Sequence, residues 1–188
     1  MSVRILAFAG SRRDGSHNVR LLNVAIDLAR VAGAEVTRLD LGALDLPLYD
    51  ADQEVAEGLP DGALRFKAAL RAHDALLIAS PEYNGFFTPL LKNAIDWASR
   101  PEPGHPSPFA GKAAALLAAS PGAFGGIRAL PALRVLLSNL GVTVLPGQLA
   151  LALAHEAFAD DGRLRDARQQ QALAGVVDGL LSWGRRVG

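Results

Sequence analysis

The run Gly10-Ser11-Arg12-Arg13-Asp14-Gly15-Ser16-His17-Asn18 places two serines, two adjacent arginines and an asparagine between and beside two glycines, directly after an apolar segment. That is the composition of an anion site. If a helix opens at its end, the first-turn amides point outward without partners, at the positive end of the helix dipole. The serines and the asparagine add donors there. An arginine beside them neutralises a phosphomonoester, which carries nearly two negative charges at neutral pH. Two familiar phosphate loops can be tested by spacing. Gly10 and Gly15 stand as at the start of a P-loop, but Ser16-His17 occupies the place of Lys-Ser/Thr, so triphosphate hydrolysis lacks its cation. The dinucleotide signature needs three closely spaced glycines, and this loop has two at another spacing. The plainer alternative is that Ser16 or Asn18 only caps the helix and the arginines are solvated.

A second candidate lies at Pro81-Glu82-Tyr83-Asn84-Gly85. Pro81 stiffens the exit from an apolar run, Gly85 permits a positive φ, and the backbone between them can turn its N–H and C=O groups toward a flat heterocycle. Tyr83 offers a ring face or edge to the same heterocycle, unless it is an ordinary turn aromatic. A phosphate loop and a planar-ring loop together suggest a mononucleotide with a large π system.

Both loops need a frame that brings them to one edge. Apolar runs of strand length fall at Val3 to Ala9, Val36 to Leu41, Ala75 to Ala79, Ala113 to Ala119, and Thr143 to Leu145 with an extension beyond Pro146. Continuous apolar strands fit a parallel sheet covered on both faces. Helical spacing fills the intervals at Asn18 to Val31, Leu64 to His73, Thr88 to Ser99 and Arg128 to Leu140, with Pro131 tolerable in a first turn. Leu173, Val176, Val177, Leu180 and Leu181 predict a final helix. The alternation is that of a doubly wound α/β sheet, in which ligands sit at the carboxyl ends of the strands near a topological switch point. The stretches Leu46 to Asp61 and Pro101 to Gly111 read as irregular insertions within one domain spanning 1–188.

Composition excludes several classes. Half of the 188 residues are hydrophobic, a fifth are charged, and the formal net charge is zero, so the electrostatic footprint of a nucleic-acid or polybasic membrane binder is missing. There is no cysteine, which removes disulfides, thiolate metal sites and cysteine nucleophiles. The apolar run Ile5 to Ala9 is too short for a signal-peptide core, and no stretch has the length of a membrane span. A cytoplasmic protein acting on a small molecule is expected. The four histidines are scattered, and His155-Glu156 lacks the second histidine of a zinc-protease helix, so no metal is assigned. His73 falls at a helix end, and His105, in the proline-rich stretch, either is solvated or reaches a neighbouring subunit. Lys92 and Asp96 have the spacing of a surface pair, Trp97 that of a core position, and Gly125-Gly126 need only permit a turn.

The stretches "GSRRDGSHN" and "PEYNGFFTPLLKNAIDWASRP" together resemble the NADPH-dependent FMN reductase family, flavodoxin-like proteins that include quinone, azo-dye and chromate reductases. "LDLGALDLPLYDAD" and "SPGAFGGIRAL" also look like their counterparts there. The resemblance implies a flavodoxin-like five-stranded sheet in the order 2-1-3-4-5 and noncovalent FMN. It assigns Ser11, Arg13, Ser16 and Asn18 to the phosphate, Pro81, Glu82, Tyr83, Asn84 and Gly85 to the isoalloxazine, and Ser120 and Gly122 to the flavin's other edge. Arg12 and His17 depart from the apolar and aromatic residues common at their positions. NADPH or NADH is the implied hydride donor, a quinone-like molecule the implied acceptor, and no protein acid, base or nucleophile is required for the hydride step. A homodimer or dimer of dimers is implied too, for which Phe86, Phe87 and Leu90 offer apolar surface. A flavodoxin-type electron carrier, or an enzyme releasing reduced FMN, are the alternatives. The neutral charge disfavours the carrier, and Arg13 with the hydroxyls disfavours release.

Overall fold

The computed structural model describes residues 2–187, so the two terminal residues of the expected domain lie outside the described part. Along the chain, β1 (Arg4–Ala9) leads through α1 (His17–Val31) to β2 (Glu35–Leu39), a 3₁₀ turn (Leu41–Leu44), α2 (Ala51–Glu57), α3 (Asp61–Arg71) and β3 (Ala75–Ala79). A miniature hairpin of β4 (Glu82–Tyr83) and β5 (Phe86–Phe87) follows, then α4 (Pro89–Ser99), β6 (Ala113–Ala119), α5 (Ala129–Asn139), β7 (Thr143–Leu151) and α6 (Ala167–Val187).

The main sheet is parallel, in the order β2-β1-β3-β6-β7, which is the expected 2-1-3-4-5 once the hairpin strands are set aside. Alternation along each strand divides the core in two. Ile5, Ala7, Leu77 and Leu117 face α1 and α6, while Leu6, Phe8, Leu76 and Leu116 face α3, α4 and α5. The three inner strands are buried on both faces, apart from Arg4 at the very start, which explains their unbroken apolar runs. Phe8 meets Phe66 edge to face at 5.4 Å. Truncating such a ring to alanine typically costs about 3–5 kcal/mol.

Two expectations are corrected and a third is borne out. The stretch 46–61 is not irregular throughout: α2 starts at the side chain of Asp50, which accepts from the amides of Asp52 and Gln53. None of its residues is buried, so no apolar periodicity marks it. β2 stops at Leu39, because Asp40 accepts from the Gly42 amide at 2.8 Å and starts the 3₁₀ turn. β7 does run on past Pro146, through a register shift opposite Ala114 and Leu116. As an edge strand it tolerates a proline, and Arg134 satisfies the carbonyls of Val144 and Leu145 beside it, each at 2.9 Å.

Candidate functional site

The first loop leaves the sheet at Gly10, whose amide still donates to Ala79 O at 2.9 Å. A Cβ at Gly10 would lie 2.6 Å from the Oγ1 of Thr88, so glycine here admits another side chain. Thr88 is the N-cap of α4, accepts from Leu91 N at 3.4 Å, and donates to Gly10 O at 2.7 Å. It thereby ties the first loop to the helix that follows the second. Pro89 sits at the first helical position, where its missing N–H costs nothing.

Ser16 caps α1, accepting from Val19 N at a long 3.4 Å, so the capping alternative holds for this residue. Capping does not exhaust the loop. Arg13 N donates to Ser11 Oγ at 3.3 Å, which leaves that hydroxyl's proton free to point elsewhere. Among the described residues, the amides of Ser11, Arg12, Asp14 and Gly15 donate to no protein acceptor, and the first-turn amides of His17 and Asn18 have no i−4 carbonyl within the helix. The side chains of Arg12, Arg13 and Arg38 make no ion pair or hydrogen bond among the described residues. Open amides, a hydroxyl and free guanidinium groups are a donor set that fits a phosphomonoester.

Asn18 enters the site differently from the expectation. Its carboxamide is buried and engaged by one residue of β6: Oδ1 accepts from Ala119 N at 2.9 Å and Nδ2 donates to Ala119 O at 2.8 Å. The side chain works as a strut between α1 and the end of β6, and what it leaves for a ligand is its main-chain amide.

The second loop is a two-residue hairpin. Asn84 and Gly85 both have positive φ, 52° and 82°, as a type I′ turn demands. Asn-Gly between apolar residues is the sequence signal for that turn, and reading the stretch as a plain loop missed it. Pairing of Glu82 with Phe87 and of Tyr83 with Phe86 sends the first pair inward and the second outward. Tyr83 is 54% exposed and Phe86 50%, whereas Phe87 is 3% exposed and belongs to the core. Phe87 therefore contributes nothing to an apolar surface, contrary to expectation. Pro81 is fixed through the buried Ser80, whose Oγ donates to Pro81 O at 2.9 Å.

Glu82 is also a strut. Its carboxylate accepts from Arg128 N at 3.1 Å and Nε at 2.6 Å, joining the hairpin to the N-cap residue of α5. The third loop lies between. Ser120 N donates to Leu151 O at 3.1 Å, and Ser120 Oγ accepts from Gly122 N at 3.1 Å, so the two residues expected at the flavin edge form a small turn just past the carboxyl end of β6. Gly125 is a packing glycine as well as a turn glycine: a Cβ there would sit 2.7 Å from the β7 backbone. Thr88, Asn18 and the Glu82–Arg128 pair thus bind three loops into one rim. Neither Thr88 nor Arg128 was singled out from sequence; Thr-Pro before an apolar helix is a legible start signal, but the partner of Arg128 lies 46 residues away.

His17 lies on the flank of the phosphate loop, its ring parallel to Phe158 at 6.5 Å between centroids. Burial, then the charges of Arg13, Arg20 and His155, hold its pKa below the ordinary 6.5. Its Nδ1 is buried without a partner among the described residues. The remaining assignments are structural. Trp97 is buried and donates to Pro47 O at 2.8 Å, Lys92 pairs with Asp96 at 2.6 Å, and His73 meets Ala69 O at 2.6 Å near the end of α3. His105 is half-exposed, 3.8 Å from Glu102.

Residues 3–156 match the family model described as NADPH-dependent FMN reductase. The chain is 40% identical over 186 residues to an NAD(P)H-dependent FMN reductase of Pseudomonas aeruginosa, covering 98% of this chain and 97% of that one. It is 36% identical over 180 residues to an NAD(P)H:quinone oxidoreductase of Solanum tuberosum, covering 93% and 89%. Among solved structures, the flavoenzyme NAD(P)H:(acceptor) oxidoreductase of Paracoccus denitrificans superposes with a TM-score of 0.85 at 31% identity, over 98% of both chains. With the parallel sheet in flavodoxin-like order and an anion-ready loop beside an aromatic hairpin, these likenesses place the chain in the NADPH-dependent FMN reductase family.

Proposed function

We propose that this chain retains FMN at the rim built by its three loops, takes a hydride from NAD(P)H and passes the electrons to a quinone-like acceptor. The observation that carries the reading is the set of open amides in the first loop, opening at the same sheet edge as the exposed Tyr83 hairpin and tied to it through Thr88. The bound flavin supplies the redox chemistry. The protein binds and orients. The open amides of the first loop and the hydroxyls of Ser11 and Ser16 take the phosphate, and Arg13 balances its charge. Pro81, Glu82, Tyr83, Asn84 and Gly85 form the ring wall, of which Glu82 acts by holding the hairpin to Arg128. Ser120 and Gly122 close the opposite edge. The positive end of the α4 dipole, with Leu90 N its one first-turn amide lacking a partner among the described residues, favours negative charge developing on the nearby ring edge.

A retained flavin is supported by the unspent donors of the first loop, and an enzyme over an electron carrier by the absence of net acidic charge. No helix among the described residues is long and apolar enough to cross a membrane. We place the protein in the cytoplasm, where NAD(P)H is replenished, and treat the chain as one domain because both core clusters share one sheet. Exposed Phe86, Phe124 and Ile127 around the opening support a homodimer that covers it, with a tetramer as its doubling. The test is an anaerobic titration of desalted, flavin-loaded protein with NADPH and NADH, followed at the flavin absorption band. Bleaching within the mixing time, then recovery on adding benzoquinone, is expected. Colour lost on desalting supports the flavin-releasing alternative; one-electron spectra without nicotinamide oxidation support the carrier.

A further inference from the structure

Among the described residues, three other than glycine have a left-handed backbone: Asp45, Asn84 and Leu153, with φ of 50°, 52° and 48°. Asp45 closes the 3₁₀ turn and Asn84 turns the hairpin, and short polar side chains of these types visit the conformation routinely. A leucine does not. Its Cβ crowds the following carbonyl oxygen, and burial does not offset the cost, since Leu153 is 51% exposed.

Just past β7, residues 151–154 lace the third loop to the sheet. Ser120 N donates to Leu151 O at 3.1 Å, Leu153 N to Gly122 O at 3.3 Å, and Ala154 N to Ser120 O at 3.0 Å. Leu153 O accepts from Glu156 N at 2.9 Å. All of these bonds are made by the main chain, so a glycine at 153 would keep them without strain, and the leucine side chain serves none of them. That side chain stands beside a tight crossing of two backbones. A Cβ at Gly125 would lie 2.7 Å from Ala152 N, which brings the neighbours of that pair, Phe124 and Leu153, to the same crossing. Phe124 is exposed too. Two exposed apolar side chains therefore flank Gly122, Phe124 two residues along the chain and Leu153 through its amide. Charges nearby are engaged: Arg128, 5.9 Å from the Phe124 ring, pairs with Glu82, and His155 meets Glu156 at 3.1 Å.

We infer that Leu153 is a specificity-determining residue: with Phe124 it forms an apolar wall beside Gly122, against which the ring of an uncharged, lipophilic quinone lies while it is reduced. The strain at 153 is retained for that side chain. The inference rests on the flavin reading for what Gly122 adjoins, but the strained turn itself does not.

The test compares the wild type with Leu153→Gly and Leu153→Asn. Urea unfolding of the flavin-free chain reads the strain: glycine and asparagine adopt a left-handed φ readily, so both variants keep or raise the wild-type midpoint although a large apolar side chain is gone. Turnover reads the wall. With NAD(P)H as donor, KM for 2-methyl-1,4-naphthoquinone rises about fivefold to tenfold in both variants with kcat kept, as for the loss of part of a leucine's apolar contact. KM for ferricyanide, a hydrophilic anion, does not move, and FMN affinity stays at the wild-type value. A midpoint lowered in both variants overturns the inference, because Leu153 would then be a packing residue. So does an unmoved naphthoquinone KM, or an equal rise for the two acceptors. A wild-type dimer that dissociates in Leu153→Asn, seen by sedimentation, overturns it as well, since the side chain would then serve a second copy of the chain. Failure of the flavin reading shows separately: the wild type takes up no FMN and the acceptor role falls, while the urea comparison still reports the strained turn.

Discussion

The sheet has a hollow at each end, and the two are furnished in opposite ways. At the amino end a cavity of about 1060 Å³ is lined by Arg4, Arg71, His73, Asp74, Lys112 and Trp183 among others. At the carboxyl end the cavity is less than half that size, about 470 Å³. In the larger one the charges are spent on the protein. Arg4 forks onto Asp74 at 2.6 and 3.2 Å, Arg71 pairs with Glu102 at 2.5 Å, and Lys112 Nζ donates to His73 O at 2.5 Å. In the smaller one the cations and amides are left open. On the proposed reading volume misleads here, and the unspent donors mark the anion site. The ties differ as well: at the carboxyl end Asn18 and Thr88 are buried neutral groups with specific partners, beside the charged Glu82–Arg128 pair, whereas the amino-end ties all use charged side chains, half-exposed at Arg4–Asp74 and partly buried at Arg71–Glu102 and Lys112–His73.

The comparison can be broken at several points. The largest effect belongs to Asn18→Ala, which leaves the amide and carbonyl of Ala119 buried without partners. A loss of about 2–4 kcal/mol in unfolding free energy is expected, read as a lowered urea midpoint with unchanged slope. An unmoved midpoint would show that water replaces the carboxamide and that the strut is dispensable. Next comes Arg13→Ala. FMN affinity should fall about tenfold to a hundredfold, as for one hydrogen bond to a charged group, while riboflavin, lacking the phosphate, binds as before. Lys112→Ala, at the other end, should leave both affinities alone; if it weakens FMN as Arg13→Ala does, the contrast between the two hollows fails.

A smaller effect is set by pH. The folded protein holds His17 below its ordinary pKa of 6.5, so the folded state binds this proton less readily than the unfolded chain does. Stability from this source is complete above 6.5 and declines as pH falls from there through the lower folded value. His17→Phe should flatten that part of the flavin-free stability profile. Addition of inorganic phosphate should raise the His17 pKa, seen as a downfield shift of its ring-proton titration; a titration indifferent to phosphate places the anion elsewhere. The smallest effect is Arg4→Ala. The pair with Asp74 is half-exposed and screened, so a barely resolved change in midpoint is expected, and one approaching that of Asn18→Ala would overturn the distinction between charged and neutral ties.

What was legible in the sequence follows the same physics. The inner strands could be placed because burial on both faces leaves unbroken apolar runs, and Ala75–Ala79 and Ala113–Ala119 coincide with expectation to the residue. The helices of the core were found for the same reason, with ends misplaced by a few residues: α3 begins three residues before Leu64. α2 was invisible because it buries nothing. The site was legible where local chemistry defines it, at the donors of the first loop and the positive φ of Gly85. It was not legible where a role depends on a partner distant in the chain. Asn18 looks like a free amide until Ala119 is beside it, and Glu82 looks like a ligand contact until Arg128 is seen to hold it. Phe87 was misjudged because the alternation of a hairpin too short to show a period decides which of two adjacent rings is hidden.

The contact between Gly10 and Thr88 carries a lesson for anyone reshaping this enzyme's mouth. An alanine at position 10 alone would overlap the threonine hydroxyl at 2.6 Å, so the two sites must be traded as a couple. Libraries that randomise the entrance one codon at a time will discard solutions in which a larger residue 10 is matched by a smaller residue 88.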